Sequence, residues 1–346
     1  MNGLRAVAVF TVTLFASLPA AAIVINTGSD ADVLNRGYTT AGGVLVPPMF
    51  GGIDLSGVVQ VSVGNRLCTG SLLPDGLSVL TAGHCVTASY GSDLWGAGNV
   101  NFLGPDGFVT TSVLSISVNP GWDGTGGHGG DLAVLRLDTY APQFAARYSL
   151  YSGAPDFSSV NVLAGYGYGG TGETGYDGGA WPYGTLRAGT NKYVITGTPI
   201  GDSSRVLLGQ VYNPNDSTTN VLQAFSPYFA SDAATVAPGD SGGPTFRAGQ
   251  LVGVHDTIGC FSAPNGTSCQ NGSPDPNSSW GQFFEDTSVS ANYAWINQQV
   301  VPEPSTIGLF LAGAALLGVG GLRRSRSFSK VHRAIRGRIF PGLNRS

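Results

Sequence analysis

Between residues 40 and 290 the chain alternates short apolar runs with turn residues, and the pattern repeats every ten or so positions. Val58-Val59-Gln60-Val61-Ser62-Val63 leads into a Gly64-Asn65 turn. After Pro74-Asp75-Gly76, the segment Leu77-Ser78-Val79-Leu80-Thr81 alternates apolar with small polar residues and reads as the next strand. Val109 to Val118, Leu132 to Leu137, Val160 to Ala164 and Leu251 to His255 are further predicted strands. A helix is predicted only near Ser290 to Gln299. Gly169 to Gly184 reads as a glycine-rich loop; no helix follows it, so it is assigned no phosphate-binding role.

The two ends break this pattern. Arg5, the apolar run Ala6 to Leu18 and Pro19-Ala20-Ala21-Ala22 form a signal peptide (1–22), with cleavage expected after Ala22. At the other end Val301-Pro302-Glu303-Pro304 and Ser305-Thr306 precede an apolar stretch from Ile307 to Leu322, followed by Arg323-Arg324. Those sixteen apolar or small residues are short for a hydrocarbon core of ~30 Å, though their flanks extend them, and the arginines would stay cytoplasmic. Residues 301–324 resemble the PEP-CTERM sorting signal of Gram-negative bacteria. The resemblance implies an exported protein, held at least transiently in the membrane by residues 307–322 and processed by an exosortase, then destined for the cell surface or beyond. A basic tail, residues 325–346, follows where such signals usually stop.

Composition narrows the class further. Hydrophobic residues at 42% exclude a disordered chain, and 53 glycines without a triplet period exclude collagen. The net charge of −4 argues against nucleic acid as a partner. Eight of the 17 Lys and Arg lie beyond residue 301, whereas residues 23–300 carry eight basic and twenty acidic side chains, a balance of −12. An acidic body is thus followed by a basic end. Export fits two structural disulfides; four cysteines allow three pairings, of which Cys68–Cys85 and Cys260–Cys269 close the shortest loops. No clustered Cys/His spacing points to a metal site, and no cofactor is implied.

Three fragments carry chemistry. Thr81-Ala82-Gly83-His84-Cys85 presents a histidine at a strand end, Gly130-Asp131-Leu132-Ala133-Val134-Leu135 places a carboxylate at the mouth of an apolar strand, and Gly239-Asp240-Ser241-Gly242-Gly243-Pro244 puts a serine in a glycine-rich turn. A hydroxyl nucleophile needs a base to take its proton, and the base needs an acceptor that fixes its tautomer. Glycines beside the serine let two N–H donors converge on a developing oxyanion, a contribution of ~3–4 kcal/mol.

With these motifs in this order, residues 50–299 resemble a chymotrypsin-type (trypsin-like) serine protease. Cys68-Thr69-Gly70-Ser71-Leu72-Leu73, Ala164-Gly165-Tyr166-Gly167 and the predicted closing helix add to the likeness. The resemblance implies an all-β domain over residues 23–300: two six-stranded antiparallel barrels with the site in the cleft between them, and a short C-terminal helix. It implies His84 as general base, Asp131 as its orienter, Ser241 as nucleophile, the N–H groups of Gly239 and Ser241 as oxyanion hole, and protein or peptide substrates.

The sequence departs from the family in two places. Members often bury a new N-terminal Ile or Val amine against the acidic residue before the serine, here Asp240; no Arg-Ile-Val activation site occurs, but signal cleavage would itself free Ile23-Val24. Ala237 replaces the usual cysteine four residues before the serine, which leaves Cys260 for Cys269. Members selecting Arg or Lys carry Asp six residues before the serine, where Thr235 stands here. Val254-His255 resembles the histidine-bearing strand with which glutamyl endopeptidases hold an acidic side chain. Acidic or small residues before the cut are therefore expected. An idle surface-binding module on a protease fold is the rival, and the intact trio weighs against it.

Overall fold

The structure, a computed structural model, describes residues 23–25, 37–41, 43–87, 96–177, 179, 183–197, 205–210, 228, 230, 232–261, 269 and 271–300. The chain divides into two units, Met1–Val300 and Val301–Ser346. The predicted signal peptide and everything from residue 301 onward, including the sorting segment and basic tail, lie outside the described residues.

The first half closes into a six-stranded barrel. Its antiparallel order is Gly107–Val118, Ala133–Leu137, Ser78–Thr81, Arg66–Leu72, Val58–Val63 and Gly98–Gly104, the last pairing back onto the first. Val59, Val61 and Val63 occupy alternate positions and fill the barrel with Leu72, Val79, Val100, Phe102 and Leu135. The intervening Val58, Leu80 and Val134 pack in a different cluster, with Val162, Ala164, Phe246 and Val254 of the second half. Strands buried on both faces explain why Leu132 to Leu135 is apolar without interruption.

The second half is a seven-stranded antiparallel sheet: Arg187–Asn191, Asn161–Gly165, Pro244–Arg247, Gln250–Gly259, Phe283–Ser288, Val206–Gln210 and Tyr193–Thr196. Its two edge strands are consecutive in the chain, with only Lys192 between them, so the sheet curls until its ends meet. The Lys192 N–H donates to the Asn191 side chain at 2.7 Å, which marks the bend. Counting that bent segment as one strand leaves the six that the resemblance implied, although the ladder is curled rather than closed among the described residues. The predicted helix is a 3-10 turn, Ser290–Asn292, followed by Tyr293–Gln299, whose Ile296 is fully buried where the two halves pack together. Among the described residues no helix is long and apolar enough to cross a membrane.

One expectation is corrected. Part of the supposed glycine loop is ordered: Gly169–Thr171 and Gly175–Tyr176 form a hairpin. The remote segment Ile23–Ile25 adds to it in parallel and pairs antiparallel with Ala234–Thr235 on its other side. Ile23, Val24 and Ile25 are all buried. Local pattern could not reveal a hairpin whose partner lies 146 positions upstream.

Both short-loop disulfides form, Cys68–Cys85 and Cys260–Cys269. Cys68 and Cys85 are 17 positions apart, and closing a loop of that size constrains the unfolded chain by about 3 kcal/mol in the loop-entropy model. Cys68→Ser should therefore lower the denaturant midpoint measurably and loosen the turn that carries His84, which the bond anchors. Free Cys68 and Cys85 thiols in the exported protein would remove this expectation.

Candidate active site

The strand Ser78–Thr81 ends in a 3-10 turn, Gly83–Cys85, that presents His84 while Cys85 ties it to the neighbouring strand. Ala133 pairs with Thr81, so the ladder register itself brings Asp131 beside His84. The Asp131 Oδ2 lies 2.5 Å from His84 Nδ1, and its Oδ1 accepts the His84 backbone N–H at 2.7 Å. Asp131 is fully buried, whereas the His84 side chain keeps 19% exposure. A carboxylate that holds both the ring and the backbone of one histidine fixes the proton on Nδ1 and leaves Nε2 as the base.

Ser241 sits in a turn that only glycines could build. Gly242 has φ +80°, and a Cβ there would lie 2.1 Å from Thr81 Oγ1 and 2.4 Å from the Thr69 carbonyl. The turn thus presses directly on the first barrel; the Thr69 N–H donates to the Ser241 carbonyl at 2.9 Å. Gly239 has φ +97°, and its carbonyl accepts Thr69 Oγ1 at 2.9 Å. Asp240 turns inward and accepts the N–H groups of Gly167 and Ala237, each at 2.8 Å. Burial pushes its carboxyl up to about 6, against the opposing pull of His255 and those two N–H groups. Among the described residues the N–H groups of Gly239 and Ser241 donate to no other group.

His84 and Ser241 line one cleft of about 400 Å³ together with Trp122, Val236, Pro238 and His255. His255 is fully buried, and its Nδ1 lies 2.9 Å from Asp286 Oδ1. The other oxygen of Asp286 accepts the hydroxyls of Tyr193 and Thr245, each at 2.5 Å. This carboxylate holds the His255 proton at Nδ1, so Nε2, which has no hydrogen-bond partner among the described residues, becomes a donor only when the ring is a cation.

Thr235 is not among the residues that line this cleft. It is fully buried and paired with Val24, and Val236 and Ala237 form the wall instead. Sequence reasoning also missed two acids in the cleft lining, Asp256 and Glu285. Asp256 directly follows His255, and Glu285 lies on the adjacent strand, across from Thr257; acidic residues within buried strands were the available signal.

Comparison with protein-family profiles matches trypsin over residues 53–268 and the PEP-CTERM protein-sorting motif over residues 300–325. A comparison with curated proteins gives no match. Among solved structures the chain resembles neuropsin, described as a serine protease expressed in the limbic system of mouse brain. The identity is 18%, over 70% of this chain and 93% of that one, with a TM-score of 0.49.

Proposed function

Given that this chain belongs to the trypsin family of serine proteases and carries a PEP-CTERM sorting motif, we propose that it is an exported serine endopeptidase acting through an acyl-enzyme. The observation that carries the reading is the doubly bonded His84–Asp131 pair sharing a cleft with Ser241. In this reading His84 Nε2 takes the Ser241 proton as Oγ attacks the scissile carbonyl. The free N–H groups of Gly239 and Ser241 receive the oxyanion. His84 then returns the proton to the leaving amine, and water repeats the sequence to release the acid product. The sorting motif adds processing by an exosortase. A phosphonofluoridate reagent should label Ser241 in the folded protein and fail with Ser241→Ala. An unlabelled folded wild type would favour the idle binding module.

Substrate choice follows from the cleft wall. Apolar Val236, Ala237 and Ile258 favour small side chains before the cut, and the His255 ring, when cationic, joins Arg66 as a donor in the lining for an acidic side chain. Glu285 is an acid in the same lining and opposes it. His255→Ala should lower cleavage after Glu relative to Ala, and Glu285→Gln should raise that ratio. Dominant cleavage after Arg would reverse the assignment and make Glu285 the selecting group.

A further inference from the structure

Asp256 takes no part in the proton relay just described, yet it lies against it. An oxygen of Asp256, an oxygen of Asp131 and a ring nitrogen of His84 all fall within 4.8 Å of one another. Its position is imposed by a β-bulge. His255 pairs with Asp286 and Thr257 with Glu285, so Asp256 is the extra residue between them and its side chain leaves the alternation of the strand. Both carboxyls are buried. Asp256 Oδ2 accepts the Gly127 N–H at 3.0 Å and Thr287 Oγ1 at 3.2 Å, while Oδ1 has no hydrogen-bond partner among the described residues. The charged groups that face it are Asp131 and His84 from the first barrel and Glu285 from the neighbouring strand; His255, on its own strand, is engaged by Asp286.

We propose that Asp256 is a positioning residue of the catalytic centre: as a neutral carboxylic acid it donates a hydrogen bond from Oδ1 to the Asp131 carboxylate. Two adjacent buried carboxyls cannot both ionise cheaply, so one keeps a proton. Asp131 already accepts from His84 through both oxygens, which favours its anion. Asp256 lacks such a cation, and burial, followed by the Asp131 charge beside it, holds its carboxyl well above the ordinary range. The shared proton draws charge from Asp131 and so limits how strongly Asp131 stabilises the His84 cation. His84 can then release the proton it must give to the leaving amine.

This inference rests on the protease reading, and the test separates the two. In the full exported chain, Asp256→Ala removes the donor. The expected result is a kcat lower by about tenfold at unchanged KM, with the acid limb of the pH profile displaced to higher pH. Asp256→Asn keeps a neutral donor and should rescue both readouts to within about threefold. If Asp256 were an anion, Asp256→Asn would instead move the acid limb to lower pH, and the proposal would fall; it would also fall if neither variant moved that limb. A second measurement needs no turnover. An acid whose folded pKa is raised costs stability progressively as pH rises above its unfolded value of about 4. The stability advantage of Asp256→Asn over wild type should therefore grow from pH 4 towards 7, and an advantage flat with pH overturns the neutral acid. A wild type that cleaves no peptide sinks the protease reading, while the stability comparison still decides the state of Asp256.

Discussion

Ser241→Ala should lower kcat about a million-fold, and His84→Ala should do nearly the same, with the double variant no worse than either. The reason lies in the single chain of contacts from the Asp131 carboxylate through His84 to the cleft that Ser241 lines. Once the nucleophile is gone, the base has no proton to take, so the two losses cannot add. Asp131→Asn should cost about ten-thousand-fold, because an amide cannot accept both the Nδ1 proton and the backbone N–H that Asp131 now receives. Substrate binding should change little in all three, since the cleft wall from Val236 to Pro238 is built by other residues. Single-turnover kinetics on a fluorogenic peptide gives the check. Residual turnover of Ser241→Ala within a hundredfold of wild type would mean that Ser241 is not the nucleophile.

How much of this was legible depended on whether the information was local. Strand alternation predicted Val58–Val63 to the residue, because one barrel face and one inter-barrel face impose a period of two. The His84, Asp131 and Ser241 motifs were legible because each combines a reactive side chain with the turn chemistry that presents it. Both disulfides were legible from loop length. What escaped depends on distant pairing. Thr235 was placed by counting along the chain, but its neighbours are set by Val24, over two hundred residues away. The Gly169–Thr171 hairpin was hidden for the same reason. Asp256 escaped because a bulge breaks the period that sequence reading relies on, and Glu285 because its face is defined by the strand across from it.

A processed protein that begins at Ile23 should be about a hundredfold more active than one that retains Ala22 ahead of it. Ile23–Ile25 is clamped between Gly169–Thr171 and Ala234–Thr235. Gly167 and Ala237, two residues beyond the ends of those stretches, supply the N–H groups that hold the Asp240 carboxylate, one residue before Ser241. With residues 1–22 attached, Ile23 is a β-branched residue at φ +68°, a strained conformation that costs on the order of 1–3 kcal/mol. Cleavage after Ala22 removes the preceding carbonyl and with it that strain. It also creates an ammonium, which members of the family bury against the acid before the serine; here that acid is Asp240, whose carboxyl now stands at about 6. A cation there favours the ionised form, and the pair would fix the turn that carries Gly239 and Ser241; losing one partner of such a buried pair costs about 3 kcal/mol, the hundredfold stated. The pH signs differ between the two forms. In the form beginning at Ile23, an amine paired with Asp240 would stabilise the fold while it stays protonated, and that stabilisation would be lost at alkaline pH as the amine deprotonates. In the form retaining Ala22, Asp240 has no such partner, and stability falls as pH rises from about 4 to about 6. Activity and thermal melts of the two forms across pH 4 to 10 measure both effects. Equal activity with superimposable stability profiles would show that signal cleavage does not switch this site on.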